Sequence, residues 1–278
     1  MSVFPQVLAA SAPLAAALGI AGIIAGVALA VRSLTRRGAL AALLLGTIAL
    51  RCSWAWGAFL IVWFVLAALL SHVGRQRKAR TMHGLVAKSD RRDATQVLAN
   101  GACFGVAALV ALNGSPETRS GSLLAMAAVG ALAAAGADTW ATELGTLSNG
   151  RPLSLRLWRR VPAGTSGAVS VLGTLAAVAG AFLLASVAAA LGVISQDGVP
   201  AATVGGFAGA LADTLLGAWL QERLWCPSCE MPTEQHVHSC GSATVAKGGV
   251  PTLDNDAVNF ACTVVGGCVA AFVWATAR

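Results

Sequence analysis

The twenty residues from Ala12 to Val31 carry no charge, and similar runs recur along most of the chain. About 20 apolar residues are what an α-helix needs to cross the hydrocarbon of a bilayer, where each backbone polar group must be satisfied inside the helix. The later runs are Gly38 to Leu50, Trp54 to Leu70, Ala94 to Leu112, Ser122 to Leu144, Ser166 to Gly192, Val199 to Leu220 and Ala257 to Ala277. Together they predict an all-α fold, a polytopic transmembrane helical bundle of eight membrane segments. The second run is short for a span, so it is expected either to thin the bilayer or to re-enter. The first run lacks the basic front end and cleavage flanks of a signal peptide and reads as a retained helix. Composition agrees, because charged residues are only 11% of the chain against roughly 25% in soluble domains. Abundant Gly and Ala suit close packing of helices in lipid.

Charge orients the bundle. With the N-terminus outside, the connectors at 32–37, 71–93, 145–165 and 221–256 hold 16 of the 19 Lys and Arg residues. Only Arg51, Arg119 and Arg278 fall on the other side, and the positive-inside rule then puts the basic connectors in the cytoplasm, or the stroma of a plastid. The net charge of +7 is explained by loops facing anionic lipid or phosphate substrates, and requires no nucleic acid. The chain divides into N-terminal membrane helices (1–70) and a membrane core with cytoplasmic loops (71–278), which includes a Cys/His-containing loop at 221–256.

Acids at membrane depth mark the site. Gly136-Ala-Asp138-Thr139-Trp140-Ala-Thr142-Glu143-Leu-Gly145 closes the fifth run, with its polar groups on adjoining helix faces within two turns. An ionisable residue inside a span is a functional-site hypothesis by default; the plainer reading is a solvated helix end. Ala-Asp213-Thr214 repeats the core of this motif 75 residues later, at the same membrane face. Three shared residues in an alanine-rich chain are weak grounds for an internal repeat. Two carboxylates at matching depth do, however, suit one or two Mg2+ ions.

Other residues fall around this pair. Gln96 and Asn100 lie four apart on the fourth helix, as inter-helix glue or as ligand contacts. Arg156, Arg159 and Arg160 precede Val161-Pro-Ala-Gly164-Thr165-Ser166-Gly167, a turn whose backbone N–H groups would suit a phosphate at a helix start. The alternative is a simple N-cap by Thr165 or Ser166. Asp254, Asn255, Asp256 and Asn259 open the last run, as caps or as further polar groups for the same cavity. In the last loop, Cys226, Cys229, His238 and Cys240 have donor types and spacing for a tetrahedral Zn2+ site. Cytosolic thiols stay reduced, which favours a metal over a disulfide and leaves unpaired cysteines as the alternative. Four protein ligands would make it a structural pin. Cys52, Cys103, Cys262 and Cys268 are expected to pack as small apolar residues.

The blocks Gln96-Val-Leu-Ala-Asn100-Gly101, Ala137-Asp138-Thr139-Trp140-Ala-Thr142-Glu143-Leu-Gly145, Pro162-Ala-Gly164-Thr165-Ser166-Gly167 and Asp254-Asn255-Asp256-Ala-Val-Asn259 together resemble an integral-membrane family. It includes the plant and cyanobacterial phytyl-phosphate kinases and vertebrate transmembrane protein 19, and the likeness spans about residues 71 to 278. The resemblance implies a Mg2+-dependent kinase that transfers a phosphoryl group from a nucleoside triphosphate, CTP above others, to an isoprenoid monophosphate such as phytyl phosphate. In plants the diphosphate feeds tocopherol synthesis.

Phosphoryl transfer needs metal-bridged phosphates, basic clamps and an in-line acceptor. Asp138, Glu143 and Asp213 are the expected Mg2+ ligands, with Asp254 and Asp256 as further ones. Lys88, Arg91, Arg92, Arg156 and Arg159 would neutralise phosphates. Thr165, Ser166 and Gly167 would cradle one, and Gln96, Asn100, Thr139, Thr142, Asn255 and Asn259 would contact substrate or nucleotide. His83 is an incidental loop residue or an orienting group. The rival readings are a CDP-lipid-forming cytidylyltransferase, which releases pyrophosphate instead of CDP, and a secondary transporter, whose charges should gather at the midplane.

Overall fold

A computed structural model describes residues 9–72, 91–112, 118–148, 150–233 and 235–277. Among them are eight helices of 17 to 27 residues: α1 Leu14–Ala30, α2 Arg36–Cys52, α3 Trp54–His72, α4 Ala94–Ala111, α5 Arg119–Gly145, α6 Val171–Ala190, α7 Val199–Trp219 and α8 Asn255–Thr276. Each of the eight apolar runs becomes a helix. The six from α3 to α8 are long and apolar enough to cross a membrane, and α1 is a shorter apolar helix. The second run, expected to be short, is extended by Arg36 and Arg37 at one end and Arg51 and Cys52 at the other into one continuous helix.

The boundaries follow local chemistry. Thr35, Asp93, Thr118, Ser170 and Asp254 cap helices by accepting a backbone N–H three residues on, the arrangement that satisfies the orphan donors of a first turn. The sixth run is the main correction: its helix starts at Val171, capped by Ser170, and not at Thr165 or Ser166. The residues before it enter a three-stranded antiparallel sheet of β1 (Leu153–Ser154), β2 (Arg159–Arg160) and β3 (Ala168–Val169), in which β1 is central. A second small sheet, β4 (Arg223–Cys226), β5 (Met231–Thr233) and β6 (Val245–Gly248), again with its first strand central, builds the loop between α7 and α8.

Helix α5 is the axis of the bundle. Its residues from Ala128 to Ala137 are all buried, all Ala, Gly, Val or Leu, and they pack against α3, α4, α6, α7 and α8. At its middle three helices meet at backbone distance. A Cβ on Gly205 would lie 2.5 Å from the Gly266 carbonyl oxygen, and one on Gly266 would lie 2.7 Å from that of Gly130. Lipid offers no hydrophobic force between helices, so such close van der Waals contact is what holds α5, α7 and α8 together.

The connectors sort to two ends. At one end the α1–α2 turn pairs with the approach to α4, through Arg92 N to Ser33 O (2.9 Å) and Thr35 N to Arg92 O (3.0 Å). The chain before α1 meets the α2–α3 corner at the opposite end, where Arg51 donates to the Ala12 carbonyl at 2.8 Å. Lys88 and His83 lie outside the described residues.

Candidate active site at the basic end of the bundle

Helix geometry brings the two acid motifs together. Asp138 sits about two turns before the end of α5, and Asp213 about two turns before the end of α7. Because both helices finish at the same end and cross at small residues, the two carboxyls come into hydrogen-bonding contact. The Ala-Asp-Thr motifs also match in detail. Thr139 donates to Ala135 O at 2.8 Å and Thr214 to Ala210 O at 3.1 Å, so each hydroxyl is turned back onto its own helix.

These residues line a polar cavity of about 420 Å³. Its walls include Asp138, Thr139, Thr142 and Glu143 from α5, Asp213 and Thr214 from α7, Gln96 and Asn100 from α4, and Asn255 and Asn259 from α8. Thr165, Ser166 and Gly167, from the loop before α6, and Arg92 also line it. Gly164 and Gly167 take φ of 85° and 70°, and a Cβ on Gly167 would collide with Ala218. Glycine is therefore required where the loop presses on α7.

Several of these groups have structural duties as well. Gln96 completes a capping box with Asp93, by bonds of 3.0 and 3.2 Å. Asn100 donates to Gln96 O at 3.0 Å. Arg92 lies with its guanidinium 6.0 Å from the Phe64 ring centroid and donates to Ala67 O at 3.4 Å. Burial lowers the proton affinity of the Arg92 guanidinium, and the nearby Glu143 carboxylate opposes that shift.

Other expected residues lie elsewhere. Arg91, Arg156 and Arg159 are exposed and outside the cavity wall. Asp254 is the exposed N-cap of α8, accepting from Ala257 N at 2.9 Å. Asp256 is buried off the cavity, since Asn255 and Asn259, four apart, take the face that looks into it. Burial, and next the like charge of Arg156, lowers the Arg223 guanidinium, so these two arginines are close neighbours beside the loop. Thr146, Ser170 and Thr174 also line the cavity, and Gln221 accepts from the Ser166 hydroxyl at 2.5 Å. None of these four is assigned to the site from the sequence, whereas Thr214, also in the wall, is marked there as part of the second Ala-Asp-Thr.

A second, apolar pocket of about 110 Å³ lies among α1, α2, α3 and α4. Alanine, leucine and aromatic residues dominate its lining, but Arg92, Gln96, Asn100 and Thr139 belong to its wall as well as to that of the polar cavity.

The four zinc-type residues of the last loop also converge. The donor atoms of Cys226, Cys229, His238 and Cys240 all lie within 4.8 Å of one another. Hydrogen bonds from Ser242, and next from His238, hold the Cys240 thiol down at about 5. The hydrogen bond with Cys240 pushes the Cys229 thiol up to about 11.

Residues 19–267 match the family model described as integral membrane protein DUF92. The chain is 32% identical to an uncharacterized membrane protein of Methanocaldococcus jannaschii over 88% of its own length and 87% of that protein. It is 30% identical to Protein PGR of Arabidopsis thaliana, over 82% of this chain and 85% of the relative. Protein VTE6, chloroplastic, of the same plant is 28% identical over 71% of this chain and 60% of its own. No solved structure matches the chain.

Proposed function

We propose that this chain, which belongs to the DUF92 family of integral membrane proteins, is a membrane-embedded kinase that transfers a phosphoryl group from CTP or another nucleoside triphosphate to an isoprenoid monophosphate. The observation that carries this reading is the shared wall. A polar chamber containing paired acids backs onto an apolar pocket through Arg92, Gln96, Asn100 and Thr139. Such a pair of spaces suits a molecule with a phosphate head and a hydrocarbon tail, and the apolar part would have no use for a water-soluble acceptor. The resemblance to phytyl-phosphate kinases supports the same substrate class.

Asp138 and Asp213 would hold Mg2+, with Glu143 in the same chamber. Two carboxyls in contact at membrane depth need a shared proton or a cation, so the donor set fits a hard divalent ion. When bound there, Mg2+ supplies neutralisation of phosphate charge. Arg92, at the boundary of the two spaces, would face the acceptor phosphate. The Gly164–Ser170 loop would receive the phosphates of the nucleotide. An oxygen of the acceptor phosphate attacks the terminal phosphorus in line. The new P–O bond forms as the bond to the bridging oxygen breaks, and the nucleoside diphosphate departs. The second pKa of a phosphate monoester is about 6, so the nucleophile is already ionised near neutrality and needs no general base.

The acids lie near the basic end, and α5 and α7 run through them unbroken, unlike the interrupted helices that build many transporter sites at the midplane. On the positive-inside argument this end would face the cytoplasm or stroma. The test incubates purified protein in nanodiscs with CTP or ATP, Mg2+ and a panel of prenyl monophosphates, and identifies products by mass. Prenyl diphosphate with CDP or ADP is expected. Pyrophosphate with a CDP-lipid would establish the cytidylyltransferase instead, and uptake of substrate into proteoliposomes without turnover would establish the transporter.

A further inference from the structure

The loop between α7 and α8 is too small to hold itself in shape by burial. Its strands are three or four residues long, and among the described residues its buried side chains are few: Leu224, Cys226, Thr233 and His238, with Gln221 at its root. Units of this size rely on a staple such as a disulfide or a metal. Two tight turns face each other in it. One is Cys226-Pro-Ser-Cys229, at the end of β4, followed by Glu230 in the left-handed region at φ 50°. The other is His238-Ser-Cys240-Gly241, closed by Gly241 N to His238 O at 2.8 Å and His238 N to Ser242 O at 2.9 Å. Each turn presents two soft or borderline donors to the same point.

The distances are those of a metal site. Cys226 Sγ lies 3.6 Å from Cys240 Sγ, and His238 Nδ1 lies 3.2 Å from Cys240 Sγ. Two thiolates on one tetrahedral Zn2+, each at about 2.3 Å, would stand about 3.8 Å apart. The observed separation is within a few tenths of that and far from the roughly 2 Å of a disulfide. All seven cysteines are free.

We infer that Cys226, Cys229, His238 and Cys240 bind one Zn2+ in a closed, structural site. The ion clamps the two turns, and the clamp reaches the polar cavity through the root of the loop. Val250 N bonds Leu220 O at 2.8 Å, Glu222 N bonds Leu253 O at 2.9 Å, and Gly249 packs against the Gln221 carbonyl. Gln221 is thereby held where it accepts the Ser166 hydroxyl. Four protein ligands leave no position for substrate, so the metal shapes the cavity rim without entering the chemistry.

The test is the metal content of the full-length protein purified without chelator, by mass spectrometry of the elements. One zinc per chain is expected. Protein grown with cobalt should show the intense visible bands and thiolate charge-transfer of tetrahedral coordination by three thiolates and one imidazole, a readout that needs no variant. Cys226→Ser/Cys240→Ser should lose the metal, and His238→Cys should keep it. Wild-type protein free of zinc, a cobalt spectrum typical of octahedral oxygen ligands, or a Cys226–Cys229 disulfide in the intact mass would overturn the inference. None of these results depends on which substrate the membrane site takes.

Discussion

Filling the apolar pocket is the sharpest way to probe how the site chooses its substrate. Ala42 of α2 lines that pocket and is not part of the polar cavity wall, and Ala42→Phe would place a ring in it. At about 30 Å³ per small group, the 110 Å³ has room for between three and four methylene-sized groups of an isoprenoid tail. At about 0.8 kcal/mol for each, excluding them removes about 3 kcal/mol of binding, on the order of 100-fold in kcat/KM. The assay compares a long-chain prenyl monophosphate with dimethylallyl phosphate in nanodiscs, at saturating CTP. The long acceptor should lose about that factor and the short one should change little, because its tail ends near Arg92. The KM for CTP and the thermal midpoint should stay at wild-type values, which separates blocking from misfolding. Equal losses for both acceptors, or no loss for either, would refute the assignment of the pocket to the tail.

Three other outcomes follow from the same geometry. Asp138→Asn and Asp213→Asn should each lower kcat about 100-fold or more while membrane insertion is unchanged, since each removes one of the two charges expected to hold the metal; normal activity in Asp138→Asn would sink the metal assignment. Gly167→Ala puts a Cβ on a residue at φ 70° against Ala218, so the melting temperature should fall, by more than about 1 kcal/mol in stability terms, and a wild-type midpoint would show that the loop does not press on α7 as described. Asp254→Ala should cost about 1 kcal/mol through the lost N-cap of α8 with kcat retained, whereas a large fall in kcat at an unchanged midpoint would return Asp254 to the set of metal ligands.

The helices were legible in the chain because a bilayer imposes one rule on every span: about 20 residues without charge. Asp138 and Asp213 stood out for the related reason that acids inside such runs are costly. The capping residues Asp93 and Asp254 sit at run boundaries and follow from local chemistry. Ser170 does not, because β3 forms by pairing with β1, and the Gly/Ser/Thr stretch before it was free to read as a helix start. The exclusion of Asp256 from the cavity, and the admission of Asn255 and Asn259, turned on the rotation of α8.

That rotation is the kind of information an apolar chain hides. In water a helix shows its inward face by contrast with a polar one, but in lipid the outward face is as apolar as the inward one, so periodicity does not reveal which way a span is turned. Membrane crossing, the charge asymmetry of the ends, the depth of the acids and the four zinc-type donors all follow from residue order. The contact of Asp138 with Asp213, the pressing of the Gly167 loop onto α7, the reach of Gln221 to Ser166 and the wall shared by the polar and apolar spaces depend on helices far apart in the chain meeting at Gly and Ala. Packing at backbone distance sets those relations, and a single helix carries no record of the neighbour it will meet.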